Sequence, residues 1–445
     1  MPTFLRLLGL VYFVAFLSFG LQAAGLIGSH GILPLGDYLS AVRNGTGRAA
    51  YWIVPTLFWL NAGNTMLRAV CVAGLVCGLV AAWGYWQRAA LAACLVLWVS
   101  LCGVGQDFLS FQWDVLLSEA GFLALFADPS PVRVWLFRWL IFRLMFSSGC
   151  VKLLSHDATW RNLTALSFHY ETQPLPTPLA WYMFQLPLWF QKASTAFVFV
   201  AELGVPLLFF APRPVRRIGA WITIALQLLI LATGNYTFFN FLTIALTLFL
   251  FIEPACAPRR RAHQVVSVAL AVFIGVSSGL VMLSMFPVKL PPGGSAILHL
   301  VSPLRIVNSY GLFAVMTTTR PEIIVEGSND GTHWSAYEFR DKPGDLHRAP
   351  PVVEPFQPRL DWQMWFAALG SYHENRWFVN FMVRLLEGDS DVVRLLAYNP
   401  FPQTPPRYVR AELYLYSFTN WGDRAWWRRE RQGEYLPTVS LKPSP

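Results

Sequence analysis

Charge is what this sequence has least of. Asp, Glu, Lys and Arg make up 13% of its 445 residues, against about 25% in soluble domains. The deficit is uneven. From Met1 to about Phe286, apolar runs recur with short polar breaks; from about Pro287 onward, charges, prolines and turn residues return. One soluble core cannot have this pattern. It predicts a membrane domain over 1–286 followed by a soluble, extracytoplasmic domain over 287–445. Cysteine is also sparse. Cys71, Cys77, Cys94, Cys102, Cys150 and Cys256 all precede the second domain, and none are spaced C-x-x-C. A disulfide framework is excluded, and small buried thiols are expected. P-loop, G-x-S-x-G, H-E-x-x-H and Cys/His zinc spacings are missing as well. His333, His347 and His373 are far apart, so neither metal nor cofactor is expected. The net charge of +9 gathers into no basic patch with interleaved aromatics. Nucleic acid is therefore not an expected partner, and the lipid bilayer is.

What is present is a series of apolar stretches. A bilayer core about 30 Å thick needs roughly 20 apolar residues in a helix. Nine candidates satisfy or approach this: 4–27, 66–84, 89–104, 107–127, 134–154, 193–210, 217–232, 236–252 and 265–286. The first is read as an uncleaved span. With nine spans, Arg6, Arg88, Arg133, Arg213, Arg216, Arg217, Arg259, Arg260 and Arg261 all fall near span ends on one face. Basic residues mark the cytoplasmic side. The N-terminus is then cytoplasmic, and the outer face carries loops 28–65 and 155–192 and the C-terminal domain.

The second domain reads as mixed α and β, rich in strands. Runs at 322–326 and 334–339 flank Ser328-Asn329-Asp330-Gly331, a hairpin signal. Val409, Ala411, Leu413 and Leu415 alternate with polar neighbours, a strand period of two. Helices are expected over 362–369 and 377–386, with Pro-rich linkers at 349–358 and 400–406.

Ionisable residues within spans are expensive and mark interior pairs or cavities. At about 1.5 Å per residue, Glu119, Arg143 and Glu202 fall at one depth and are expected to pair. Such a trio can lock helices together or serve a function. Nearer the outer face, Asp107 is level with Lys152, and Asp114 follows on the same helical face. Beyond them lie His156, Asp157, Trp160, His169, Tyr170 and Glu171, with Asn235 and Asn240 around the turn before the eighth span. Lys152 is either a snorkelling interfacial lysine or a base with a lowered pKa.

Longer blocks carry a resemblance. Gly25-Leu26-Ile27-Gly28-Ser29-His30-Gly31-Ile32-Leu33-Pro34, Leu117-Ser118-Glu119-Ala120-Gly121 and the stretch from Phe142 to Tyr182 resemble the lipase maturation factor family. That stretch contains Ser147-Ser148-Gly149-Cys150-Val151-Lys152 and His169-Tyr170-Glu171-Thr172-Gln173-Pro174. Thr233-Gly234-Asn235-Tyr236, Tyr310-Gly311-Leu312-Phe313, Lys342-Pro343-Gly344-Asp345 and the run from Gln357 to Trp365 extend the likeness over nearly the whole chain. The resemblance implies a membrane protein without chemistry of its own. It would help secreted homodimeric lipases to fold and assemble, engaging the client through outer loops and the C-terminal domain. The membrane would be that of the endoplasmic reticulum, or the bacterial inner membrane with a periplasmic client. A shorter likeness, in the Lys152, Asp157, Trp160 spacing, is to the membrane domain of vitamin K-dependent gamma-carboxylase. It implies that Lys152 acts as a base. A membrane enzyme or lipid-binding protein with an outer-leaflet cavity therefore stays open, and Asp107, Lys152, Asp157, His169 and Glu171 would be its groups, with Lys152, Asp157 and His169 as the catalytic candidates.

Overall fold

Seven of the nine apolar stretches fold as helices long and apolar enough to cross a bilayer. They are α1 (Pro2–Gly20), α2 (Asn64–Trp83), α3 (Gln87–Val104), α5 (Pro131–Leu154), α6 (Leu188–Phe210), α7 (Arg213–Thr233) and α9 (Arg261–Leu283) in a computed structural model describing residues 1–255 and 261–441. The remaining two are shorter: α4 (Gln112–Leu125) and α8 (Phe239–Thr247), the latter prolonged by one 3-10 turn to Leu250. Cys256, Arg259 and Arg260 lie outside the described residues.

Two stretches are less continuous than hydropathy suggests. The first helix stops at Gly20, and Ala23–Ile27 forms a separate short helix. Residues 106–109 make a 3-10 turn ahead of α4 rather than its first turn. Asp107 is therefore exposed on that turn and does not share a helical face with Asp114. Both breaks free polar groups, Ser18, Gln22 and Phe108 O, for contacts described below.

Lipid tails give helices no hydrophobic reason to associate, so close packing must do it. The α1–α2 pair shows how. Gly74 and Gly78, four residues apart, face α1, and a Cβ on Gly78 would lie 2.7 Å from the backbone N of Phe13. At one set of helix ends, buried guanidinium groups tie loops together. Arg133 donates to Asp128, Phe126 O and Ser267, and Arg216 to Leu250 O and, at 2.6 Å, to Glu253. Arg138 binds Phe249 O and Ile252 O.

Beyond α9 comes α10 (Gly294–Val301), then an antiparallel sheet of order β2-β1-β3-β4. Its strands are β1 (Arg320–Ser328), β2 (Ser335–Ala336), β3 (Tyr408–Phe418) and β4 (Trp427–Val439). The hairpin joins β1 to β2 with Glu326 opposite Ala336. Helices α11 (Arg359–Ala368) and α12 (Arg376–Glu387) cover one face of the sheet. Ile323, Val325, Val409 and Ala411 are buried there with Leu360, Phe378 and Phe381. Tyr416, Phe418 and Trp427 pack instead on Leu166, Tyr170 and Trp181 of the loop between α5 and α6.

Gly78→Leu should force α1 and α2 apart and cost about 1–3 kcal/mol. Thermal unfolding of the purified protein measures this, and an unchanged melting temperature would show that close approach is not needed.

Candidate functional site

Three of the buried ion pairs join an acid on a span to a cation from another element. Glu119 of α4 pairs with Arg143 of α5, both essentially without solvent exposure. Its other oxygen accepts from the Tyr310 hydroxyl at 2.7 Å and the Asn308 backbone N–H at 3.1 Å. Asp114 forms a two-pronged ion pair with Arg359 at 2.8 and 3.0 Å, with neither side chain exposed. Glu202 pairs with Lys152 at 2.7 and 3.0 Å.

The expected trio is therefore divided. Glu119 and Arg143 meet, but Glu202 belongs to Lys152. The reason is local. Residues Val200–Gly204 form a π turn inside α6, followed by a 3-10 stretch, so counting 1.5 Å per residue misplaces Glu202. Gly149 lets the helices meet there, since a Cβ on it would lie 2.6 Å from Leu203 Cδ2 and 3.1 Å from Glu202 Cβ. Asp107 is not the partner of Lys152, because its turn lies outside α4 and its backbone carbonyl instead receives Gln363.

Lys152 has no donor to spare. Its ammonium bonds Ser148 O at 3.1 Å and both Glu202 oxygens, which accounts for the three N–H groups it has. Trp160 lies alongside, its ring centroid 5.2 Å from Nζ, and its indole N–H bonds Phe313 O. A general base here would first have to break a buried ion pair.

The other outer-face residues divide into braces and cavity wall. Asp157 caps the helix Ala158–Arg161 and also accepts from Met316 N. Burial alone would raise its pKa, but the Thr159 hydroxyl and three backbone amides hold it below the ordinary carboxylate value. Glu171 accepts from Phe418 N at 2.6 Å. Tyr170 is buried with Trp181 and Trp427. Asn235 bridges to the Pro-rich segment, donating to Pro351 O at 2.9 Å and accepting from Val353 N at 2.7 Å. Asn240 donates to Gln227 O at 3.1 Å.

Lys152, Trp160, His169, Tyr170 and Glu202 all line one cavity of about 380 Å³ between α5, α6 and α7. That volume is within the range of small-molecule sites. Burial, and then the Lys152 charge, push the His169 pKa down to about 4, so the ring is neutral at physiological pH. Gln227, Tyr236, Met145 and Phe197 complete the site and were not anticipated. Gln227 was the most readable of these, a lone amide in an otherwise apolar span. Among the described residues, no group of His, Cys, Asp and Glu has a metal-binding arrangement.

The pairing sets a stability prediction. Arg143→Leu should leave Glu119 buried without its cation and cost about 3–5 kcal/mol; normal yield and melting temperature would refute the pairing.

Known proteins resemble this chain from end to end. A family model described as the lipase maturation factor transmembrane domain matches residues 2–257, and one described as the lipase maturation factor C-terminal domain matches 306–437. Lipase maturation factor 2 of Gallus gallus is 37% identical over 98% of this chain and 81% of its own length. Lipase maturation factor 2 of Homo sapiens is 35% identical over 98% and 82%. Lipase maturation factor 1 of Mus musculus is 35% identical over 98% and 86%. No solved structure matches.

Proposed function

The chain belongs to the lipase maturation factor family, and on that premise we propose that it is an integral membrane protein assisting the folding and assembly of exported, lipase-like clients. The observation that carries this is the likeness over 98% of the chain to proteins named for lipase maturation.

The proposal places residues 287–445 and the loops 28–65 and 155–192 on the non-cytoplasmic side. The gathering of Arg88, Arg133, Arg213 and Arg216 at the opposite helix ends supports this. The membrane is that of the endoplasmic reticulum or the bacterial inner membrane, with the client in the lumen or periplasm.

Client contact is assigned to an aromatic ridge where the outer loop meets the sheet. Trp421, from the turn between β3 and β4, packs edge-on against Trp181 at 5.1 Å and lies 5.6 Å from Tyr182. Trp421 is 63% exposed and Tyr182 44%. Large amphipathic rings held rigidly bury much area at little entropic cost, which suits contact with a partly folded protein.

Coexpression with a secreted lipase tests this. Trp421→Ala combined with Tyr182→Ala should lower secreted lipase activity about fivefold or more at unchanged membrane level. Undiminished activity would assign the ridge to the bilayer interface instead and remove it from the client surface.

A further inference from the structure

The cavity beside Lys152 has two properties that contact with a protein client does not use. The first is a side opening. Ala193 and Phe197 of α6 and Leu229 and Ile230 of α7 line it, and Ala193 and Leu229 are also exposed on the outside of their helices. These positions are on membrane spans, where the exterior is lipid. The two helices pack through the 205–210 segment near their connecting turn and diverge toward their outer ends. The short helices Leu166–Thr172 and Pro178–Phe184 close the gap from above. On the proposed topology the opening faces the outer leaflet.

The second property is a pair of unused acceptors. Gln227 is 3% exposed, and its Oε1 has no partner; its Nε2 reaches only Met145 Sδ, at 3.9 Å. His169 Nδ1 is likewise buried without a partner. Its tautomer follows from a chain of bonds. Gln173 donates through Nε2 to Thr233 O, so its Oε1 accepts from the Tyr236 hydroxyl at 3.1 Å. That hydroxyl must then accept from His169 Nε2, 3.3 Å away, which assigns the proton to Nε2 and leaves Nδ1 a bare acceptor. Every donor of Lys152 is already taken, and Glu202 balances its charge. The empty places at this site call for donors without charge.

We propose that the cavity binds a single-chain neutral lipid of the monoacylglycerol type. The chain enters between α6 and α7, and the hydroxyl head donates to Gln227 Oε1 and His169 Nδ1. At roughly 30 Å³ per water-sized group, 380 Å³ holds on the order of a dozen such groups. That suits a glycerol ester head with the first part of one acyl chain, the rest lying between α6 and α7, and leaves no room for two chains. A fatty-acid carboxylate would bring a charge that no free cation balances, since Lys152 is already paired with Glu202.

The test uses the full-length protein in phosphatidylcholine nanodiscs and a monoacylglycerol carrying a diazirine in its chain. Photolabelling should map to the facing residues of α6 and α7. Unlabelled monoolein should compete at least tenfold better than oleate or added dioleoylphosphatidylcholine. Ala193→Trp, which plugs the opening from the lipid side, should cut labelling about tenfold; if that variant does not fold, Leu229→Trp plugs it from α7. Gln227→Leu keeps the shape and removes one acceptor, so monoolein should compete about fivefold less well. Variants are compared only where thermal unfolding matches wild type. Labelling spread over all lipid-facing helices, equal competition by oleate, or labelling indifferent to the plug would overturn the proposal.

Discussion

One buried ion pair fixes how the two halves of this protein meet. Asp114 begins α4, and Arg359 begins the first helix of the sheet region, 245 residues later. Neither side chain is exposed. An isolated charge in that setting is prohibitively expensive, so each group requires the other. The guanidinium also binds Phe108 O and lies about 5.4 Å from the Phe19 ring centre and 6.0 Å from that of Trp98. Neighbouring residues extend the seam. Gln22 accepts from Arg359 N, Ser18 from Gln357 N, and Trp113 donates to Gln357 Oε1, all at 2.9 Å. The Pro-rich stretch around 349–358 is thus an insert seated in the helical bundle, and Asn235 grips its other end.

A second insert, around 305–313, does the same at Glu119 and Arg143. Together the inserts hold the sheet against the outer loop, bringing Phe418 N to Glu171 and Arg320 to the carbonyls of Glu171 and Pro174. The same bracing shapes the cavity, because Phe313, which contributes to its wall, also anchors Trp160 and stacks edge-on against His169 at 4.8 Å. The sheet region's fixed placement and the pocket between α5, α6 and α7 thus depend on one set of contacts. For a folding helper this arrangement presents a fixed surface, one that orders little on binding and so keeps more of the contact energy as affinity.

What could be read from the sequence was local. Apolar length marks the spans, the Asn-Asp-Gly turn marks the β1–β2 hairpin, and alternation at Val409, Ala411 and Leu413 marks β3, because each pattern lies within one continuous stretch of about two dozen residues or fewer. β4 escaped notice: as an edge strand running Arg428-Arg429-Glu430-Arg431, it keeps its charges to deter pairing with other chains and shows no apolar alternation. Depth counting brought Glu119 to Arg143 across two regular helices, yet failed for Glu202, where a π turn changes both rise and rotation. Glu171, Asn235 and Asp114 were picked out from the sequence as outer-face or in-span candidates, but their partners Phe418, Val353 and Arg359 lie far along the chain. A bond between distant residues imposes no periodicity, so a single sequence carries no sign of it.

The seated insert is most directly tested by amide hydrogen exchange of the intact protein, resolved across 351–363. Val353, Gln357 and Arg359 donate their N–H groups to side chains of the membrane helices or their connecting turns. The account predicts that these amides, ahead of or at the start of a helix and without strand partners, exchange as slowly as those in the middle of α5. Exchange at the rate of an exposed loop would contradict it, and with it the claim that bundle and sheet form one body.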